Sequence, residues 1–410
     1  MFIGTTRFSL FQPGSNAWNL TKRATENSGA SLEDLLYAPE RIEPRLDIFI
    51  NLSLPLIASA ANEHLIRHTV LYSDEMPSKY KSQLEDAAQE YEFLVLNKHV
   101  DGKPDPRIPG PHMSAKKHFG DNATYGIYRL DDDDLLAVNF FNEASRYLNP
   151  AFAGMRLSFA SGVTGLYEDG KFSYLKATYH PMIAIGLMSI CHRVDAHTIV
   201  QPADAPHILS DRYDPVVVDA RQPMFFWTRH ADQDTDFGTG VSKNVAREKI
   251  LKELNARTSV DDTDEVSRLF PTIEGRLQVT VFEPLSTEDV KVGDLPVSLP
   301  IPACARVIEL KLAVDAPEGN PPRGGLIAFE FERIDGGRLD VEEVAVEGLN
   351  LSPNPRIGWY RYLATSSGTT SQTVTVSIAS MHRIKRIRLM KFGPGAMDYT
   401  IRDLRFGVVE

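Results

Sequence analysis

Four consecutive aspartates, Asp131 to Asp134, are the residues of this sequence best suited to chemistry. Side by side they repel one another, and an apolar interior does not accept them unpaired. An acidic run also has an ordinary reading, as a solvated loop or as a helix N-terminus where carboxylates cap free backbone N–H groups. Asp134 fits that reading, because the pattern predicts a helix over Leu135 to Leu148. Context points further. The run follows a strand-like segment, Tyr125 to Leu130, and open α/β sheets bind ligands beyond the carboxyl ends of their strands. Alternate residues of an extended segment face the same way, so Asp131 and Asp133 would share one ligand while Asp132 faces elsewhere. Two hard carboxylates suit Mg²⁺ or Mn²⁺, which keep positions for water and a diphosphate and neutralise charge on a departing nucleoside diphosphate.

Other residues could complete such a site. His230 lies in WTRHADQDTDF, a polar segment after an apolar Phe-Phe-Trp strand. Its imidazole is an acceptable Mn²⁺ ligand, and its ordinary reading is an exposed loop histidine. Asp232, Asp234 and Asp236 follow, any of which could take a hydroxyl proton as general base. Arg45 and Arg129 could reach phosphate with their two-pronged guanidinium groups, or could pair with the acids, the role that Arg129's place just before them favours. His112, Lys116, Lys117 and His118 lie in a Gly/Pro-rich loop, which reads as a solvated stretch or a mobile lid. No GxxxxGK[ST], HExxH, paired CxxC or GxSxG is present.

The elements that must position these residues alternate. RFSLF (Arg7 to Phe11) reads as a strand ended by the turn Gln12-Pro13-Gly14-Ser15. Arg41 to Ala60 has helical apolar spacing, with a kink or break expected at Pro55. HTVLYSD, a polar helix from Lys79 to Glu90, FLVL and YGIYRL then give strand, helix, strand, strand, the pattern of a parallel sheet covered by helices. RLSFASGVTGLYEDGKFSYLKATY reads as a hairpin turning at Glu168-Asp169-Gly170, Pro181 to Ser189 as helical and Ser242 to Leu254 as a helix. Beyond Gly275 short runs of period two, such as RVIELKLAV and LIAFEFERI, predict a β-sandwich. The expected division is an α/β domain over 1–265 and a β-sandwich over 275–410.

Composition bounds the function. A net charge of −11 argues against nucleic-acid or anionic-membrane partners, which need clustered positive charge. The two cysteines, Cys191 and Cys304, make no disulfide framework, and the N-terminal MFIGTTRFSLFQPGS lacks a basic region followed by an apolar one. The apolar run Pro181 to Cys191 is far shorter than the roughly 20 residues of a membrane span. The expectation is a reduced, cytoplasmic protein.

RFSLFQPGS, DIFINLSLPLIASA, LYSD and YRLDDDD, in this order over about the first 240 residues, resemble a rhamnosyltransferase family of bacteria. YRLDDDD after an α/β start is the more specific of these blocks. The resemblance implies a GT-A fold (a Rossmann-like mixed sheet with flanking helices), a nucleotide-sugar donor, a glycan acceptor and a divalent cation. In DXD motifs of glycosyltransferases one carboxylate holds the metal and another contacts the ribose, and a downstream histidine often joins the metal. By that resemblance Asp131, Asp133 and His230 are candidate metal ligands, and Asp131, Asp132, Gln12, Pro13, Gly14, Arg45 and Arg129 candidate donor contacts. Asp232 and Asp234 are candidate bases if transfer inverts the anomeric carbon. Two other classes stay open: a non-catalytic carbohydrate-binding or scaffold protein, and a metal-dependent phosphohydrolase using the same carboxylates. The C-terminal Trp359, Tyr360, Tyr362 and His382 either stack on sugar or border the sandwich core, and that domain could also form an oligomer contact.

Overall fold

The computed structural model describes residues 1–12, 32–233, 243–260, 262–278, 282–301, 307–339, 349–378 and 382–408. The chain divides into two compact units, Met1–Leu277 and Gln278–Glu410.

The first unit opens with β1 (Phe2–Arg7), then α1 (Leu32–Leu36) and α2 (Pro39–Leu46). A π-helical turn, Asp47–Ser53, joins α2 to α3 (Leu54–Ala61). The helix therefore runs on through Pro55. Proline cannot donate to the carbonyl four residues back, and the wider turn immediately before it absorbs the missing bond. Next come β2 (Ile66–Ser73), α4 (Ser78–Glu90), β3 (Leu94–His99), α5 (Pro111–Phe119) and β4 (Ala123–Arg129). The Gly/Pro-rich loop thus contains a helix. Pro111 opens it, a position where its missing N–H costs nothing.

The helix predicted over Leu135 to Leu148 is instead the short β5 (Leu135–Leu136) and α6 (Phe140–Ser145). Leu135, Leu136 and Phe140 are all fully buried, and pairing with a neighbouring strand outweighs helical spacing at the first two. Then follow β6 (Arg156–Phe159), β7 (Ser161–Glu168), β8 (Lys171–Tyr179) and β9 (Met188–Arg193). Here Met188 and Ser189, read as helical, begin a strand. The β7–β8 hairpin turns at Asp169 and Gly170, both with positive φ, the conformation its Asp-Gly dipeptide favours. The unit closes with β10 (Ile199–Val200), β11 (Val216–Asp219), β12 (Phe225–Arg229), α7 (Lys243–Asn255) and α8 (Thr263–Leu269). It extends past residue 265 because Phe270 and Ile273 are buried in its core and Val138 N–H bonds Leu269 O at 2.8 Å.

The larger sheet has the order β11-β6-β9-β4-β1-β2-β3, with β10 beside β9. β4, β1, β2 and β3 run parallel, and β9 is antiparallel to both β4 and β6. A smaller sheet has the order β5-β12-β7-β8. This mixed sheet with flanking helices is a GT-A-like α/β fold. Among the described residues no helix is long and apolar enough to cross a membrane.

The second unit is a β-sandwich. Two five-stranded antiparallel sheets contribute Leu310, Val314, Ile401 and Phe406 from one side and Ile327, Phe329, Ile387 and Leu389 from the other to one core. The period-two runs follow from this, since alternate residues face the opposing sheet. Trp359 packs against that core, Tyr360 and Tyr362 meet edge-on, and His382 is buried.

Candidate active site

The acid cluster lies where β4 leaves the sheet beside β1. Thr5 pairs with Arg129, and Leu130 N–H donates to Thr5 O at 3.1 Å, so sheet pairing holds up to the residue before the acids. A buried polar chain braces this edge. Tyr128 Oη lies 2.8 Å from His68 Nδ1, His68 Nε2 lies 2.9 Å from Thr6 Oγ1, and the Thr6 hydroxyl donates to Leu130 O at 2.8 Å. With its hydrogen committed to that carbonyl, Thr6 accepts from His68 Nε2–H, and Nδ1 accepts from Tyr128. Burial pushes His68 down to about 3, so it stays neutral. Gly4 leaves room for the pair: a Cβ there would lie 2.2 Å from His68 Nδ1 and 2.4 Å from Tyr128 Cζ.

Beyond Leu130 the chain turns, with Asp134 N–H approaching Asp131 O at 3.4 Å. Alternation therefore fails, and Asp132 and Asp133 come together in place of Asp131 and Asp133. Asp132 Oδ2 accepts the backbone N–H of Ser9 at 2.9 Å and lies 3.4 Å from its hydroxyl. Asp132 Oδ1 pairs with Arg45, whose Nη1 also lies 3.0 Å from Asp133 Oδ2. His230 Nε2 approaches that same oxygen at 3.1 Å. One helical turn before Arg45, Arg41 donates to Ser9 Oγ and Leu36 O, each at 3.1 Å. Helix α2 thus delivers two guanidinium groups to the loop after β1.

Asp134 does not cap a helix. β5 pairs with β12 through Phe225 and Phe226 only, and the Asp134 carboxylate takes a buried donor further along that strand, Thr228 N–H, at 3.1 Å. Asp131 stays at the rim, gripped by Arg129 at 2.9–3.2 Å. Burial and then the charge of Arg129 push Arg7 down, which places a second guanidinium at this rim.

Electrostatics separates the three inner carboxylates, which expose only 4%, 7% and 4% of their surface. Burial pushes Asp132 up to about 6 against the pull of Arg45. Asp133 is also raised by burial, but Arg45 and His230 outweigh this and hold it below the usual carboxylate range. Burial, then Asp133 and Asp131, drive Asp134 well above that range. His230 is lowered by burial, partly offset by Asp133, and is neutral at pH 7, its buried Nδ1 having no hydrogen-bond partner among the described residues. Asp133 is therefore held toward its charged form and Asp134 pushed toward its neutral one.

Of the residues singled out by sequence, Arg45, Asp132, Asp133 and His230 are in direct contact, and Asp131 and Arg129 pair at the rim. Asp232 acts on His230 through its charge. Gln12 is half-buried after β1, whereas Pro13, Gly14, Ser15, Asp234 and Asp236 lie outside the described residues. His112, Lys116, Lys117 and His118 sit on α5 rather than in a loop, with His112 Nδ1 docked 2.8 Å from Tyr125 Oη. Sequence reasoning missed Arg41, Ser9 and the His68 chain. Arg41 had a signal, since two arginines four apart in an apolar helix share a face. A backbone donor such as Ser9 N–H leaves none.

Among the described residues no three His, Cys, Asp or Glu side chains converge as a ligand set. Asp133 and His230 do converge, and Mg²⁺ or Mn²⁺ is commonly held by one or two protein groups with substrate phosphate and water completing the sphere. These donors fit an ion that arrives with a diphosphate, not a protein-only cage.

A family model described as "Putative rhamnosyl transferase" matches residues 1–240. Among solved structures, TarS 1-349 of S. aureus is similar over 67% of this chain and 71% of its own, at 10% identity and a TM-score of 0.28. The inositol-1-phosphate CTP transferase of T. maritima is similar over 60% and 95%, at 11% identity and a TM-score of 0.25. No curated protein matches the sequence.

Proposed function

With 240 of its 410 residues matched, the chain belongs to the rhamnosyl transferase family and is a glycosyltransferase, and we propose on that premise that it moves rhamnose or a related sugar from a nucleotide donor to a glycan acceptor with Mg²⁺ or Mn²⁺. The observation that carries this reading is the meeting of His230 and the charged Asp133 on one carboxylate oxygen, at the carboxyl edge of β4. When bound there, the ion would neutralise charge on the departing nucleoside diphosphate.

The chain's own residues do the rest. His230 presents a neutral imidazole, kept so by burial. Arg129, oriented by Asp131, and Arg7 supply positive charge at the rim for donor phosphates. Ser9 N–H and Arg45 hold Asp132 and so keep the loop after β1, where Gln12 lies, against the acids. Asp232, two residues beyond His230 and acting on it through its charge, is our candidate to take an acceptor proton if transfer inverts.

Thermal stabilisation by a panel of nucleoside diphosphates, with and without Mn²⁺, tests the reading. One nucleotide is expected to stabilise the protein only with the cation, and Asp133→Asn or His230→Gln should abolish that shift. A shift that survives both substitutions would remove the metal assignment. Incubation of the stabilising nucleotide's rhamnosyl and other sugar esters with glycan acceptors then identifies the donor by product formation.

A further inference from the structure

A second cluster of cationic groups is built on β12, and none of its residues belongs to the acid cluster. Trp227 and Arg229 alternate with Phe226 and Thr228 and so share one face of the strand. The Arg229 guanidinium lies 4.6 Å from the Trp227 ring centroid and that of Arg257 5.6 Å, while the His180 ring meets it edge-on at 5.3 Å. Cation–π contact of this kind holds guanidinium groups in place without neutralising them. Arg257 donates from Nη1 to Thr178 Oγ1 at 2.6 Å, and both of its Nη atoms lie 3.3 Å from His180 Nε2. His180 Nε2 is thus an acceptor, and its proton is on Nδ1.

The charges do not balance. Arg229 is wholly buried, and its Nε donates to Gln233 Oε1 at 3.1 Å. Its Nη2 forms an ion pair with Glu253 Oε2 at 2.8 Å, yet among the described residues neither Nη group has a hydrogen-bond acceptor in line, and Arg257 Nε has none either. Glu253 is itself 47% exposed and, among the described residues, is the one carboxylate seen against two guanidinium groups. Burial and then Arg229 lower Arg257, with Glu253 opposing, and burial followed by Arg257 and Arg229 lowers His180. Buried donors without acceptors are costly, and a fully desolvated guanidinium is most stable when an oxyanion completes it. Trp227, Arg257 and His180 are all partly exposed, so the cluster opens to solvent on that side.

We propose that Arg229, Arg257 and His180, assembled on Trp227, form an oxyanion subsite for a phosphate or carboxylate carried by the acceptor glycan. In the reading above, the donor diphosphate has cations of its own at the rim of the acid cluster, in Arg129 and Arg7. An anion held at Trp227 therefore belongs to the second substrate. The assignment to the acceptor rests on the transferase reading above; the oxyanion site itself does not.

Calorimetric titration of the full chain with inorganic phosphate, against chloride at matched ionic strength, tests this. Saturable binding is expected, weakened about tenfold or more in Arg257→Gln and in His180→Gln, partly retained in Arg257→Lys, and unchanged in Asp133→Asn. Arg257 and His180 are partly exposed, so the two variants give independent readings if one of them folds poorly. A saturating nucleoside diphosphate with Mg²⁺ should leave the phosphate isotherm unaltered. Absence of saturation, equal binding by both glutamine variants, or displacement of phosphate by the nucleotide would each overturn the proposal, the last by giving the cluster to the donor. Failure of every nucleotide to bind would sink the reading of the acid cluster while leaving the phosphate isotherm to stand or fall alone.

Discussion

Arg45 Nη1 lies 3.0 Å from Asp133 Oδ2, the same oxygen that His230 Nε2 approaches at 3.1 Å. One guanidinium thus occupies the coordinate that a divalent cation held by Asp133 and His230 would share. Removing one partner of a buried ion pair costs about 3–5 kcal/mol, because the other charge is left uncompensated. Arg45→Met should lose stability of that order in chemical denaturation. Mg²⁺ alone should then raise the melting temperature of the variant more than that of the parent, since the carboxylates have lost their resident cation. A loss below about 1 kcal/mol would place Arg45 among ordinary surface pairs.

The acid cluster carries a pH signature of its own. Asp132 is raised to about 6 by burial, above its unfolded value of about 3.9. Between these two values the folded state binds more protons than the unfolded one, so stability falls as pH rises through this window and levels off above it. Asp132→Asn keeps an acceptor for Ser9 N–H and removes the titration. Its stability relative to the parent should therefore increase from pH 4 to pH 7, read as the difference between two denaturation series. A difference that stays flat would mean that Asp132 remains charged throughout.

Much of this was legible in the sequence because it depends on period and punctuation. The β-sandwich follows from period-two runs, the Asp-Gly hairpin from its turn residues, and the strand before the acids from its apolar run. The acids' own geometry was not legible. Alternation assumes an extended chain, and the turn at Asp132 and Asp133 exists because Ser9 N–H, Arg45 and Thr228 N–H, from three distant segments, pull the carboxylates in different directions. Leu135 and Leu136 have helical spacing but pair with β12, an edge supplied by residues about 90 positions later. Of the kink or break expected at Pro55, the break does not occur. The α-helix gives way to a π-helical segment just before the proline, which absorbs the missing donor, and helix continues after it.

His68 tests the brace beneath the site. Its value is held at about 3 by burial, against about 6.5 when unfolded. In that interval the unfolded state binds the proton, so the contribution is complete above about pH 6.5 and is lost as pH falls toward 3. His68→Leu should abolish this acid-side slope. It also strands the Tyr128 hydroxyl and one Thr6 lone pair in the interior, at about 1–3 kcal/mol for a buried group left unsatisfied. Denaturation curves at pH 5 and pH 8 separate the two effects, since only the loss of packing and hydrogen bonds persists at pH 8. An unchanged slope would assign the acid sensitivity to other groups.

Gly4 offers the complementary test, because it leaves His68 chemically intact and moves it. A Cβ at position 4 would come within 2.2 Å of His68 Nδ1, 2.4 Å of Tyr128 Cζ and 2.5 Å of Tyr128 Oη. Both rings are fully buried, so neither can swing into solvent to make way. Overpacking of this kind typically costs about 1–3 kcal/mol. Gly4→Ala should therefore weaken the fold and break the Tyr128–His68–Thr6 chain that holds the Leu130 carbonyl. Because Asp131 to Asp134 hang from that residue, the nucleotide shift in the presence of Mn²⁺ should shrink as well, at temperatures where the variant is still folded. Retention of the full shift in a destabilised Gly4→Ala protein would show that the chain supports the sheet without positioning the acids.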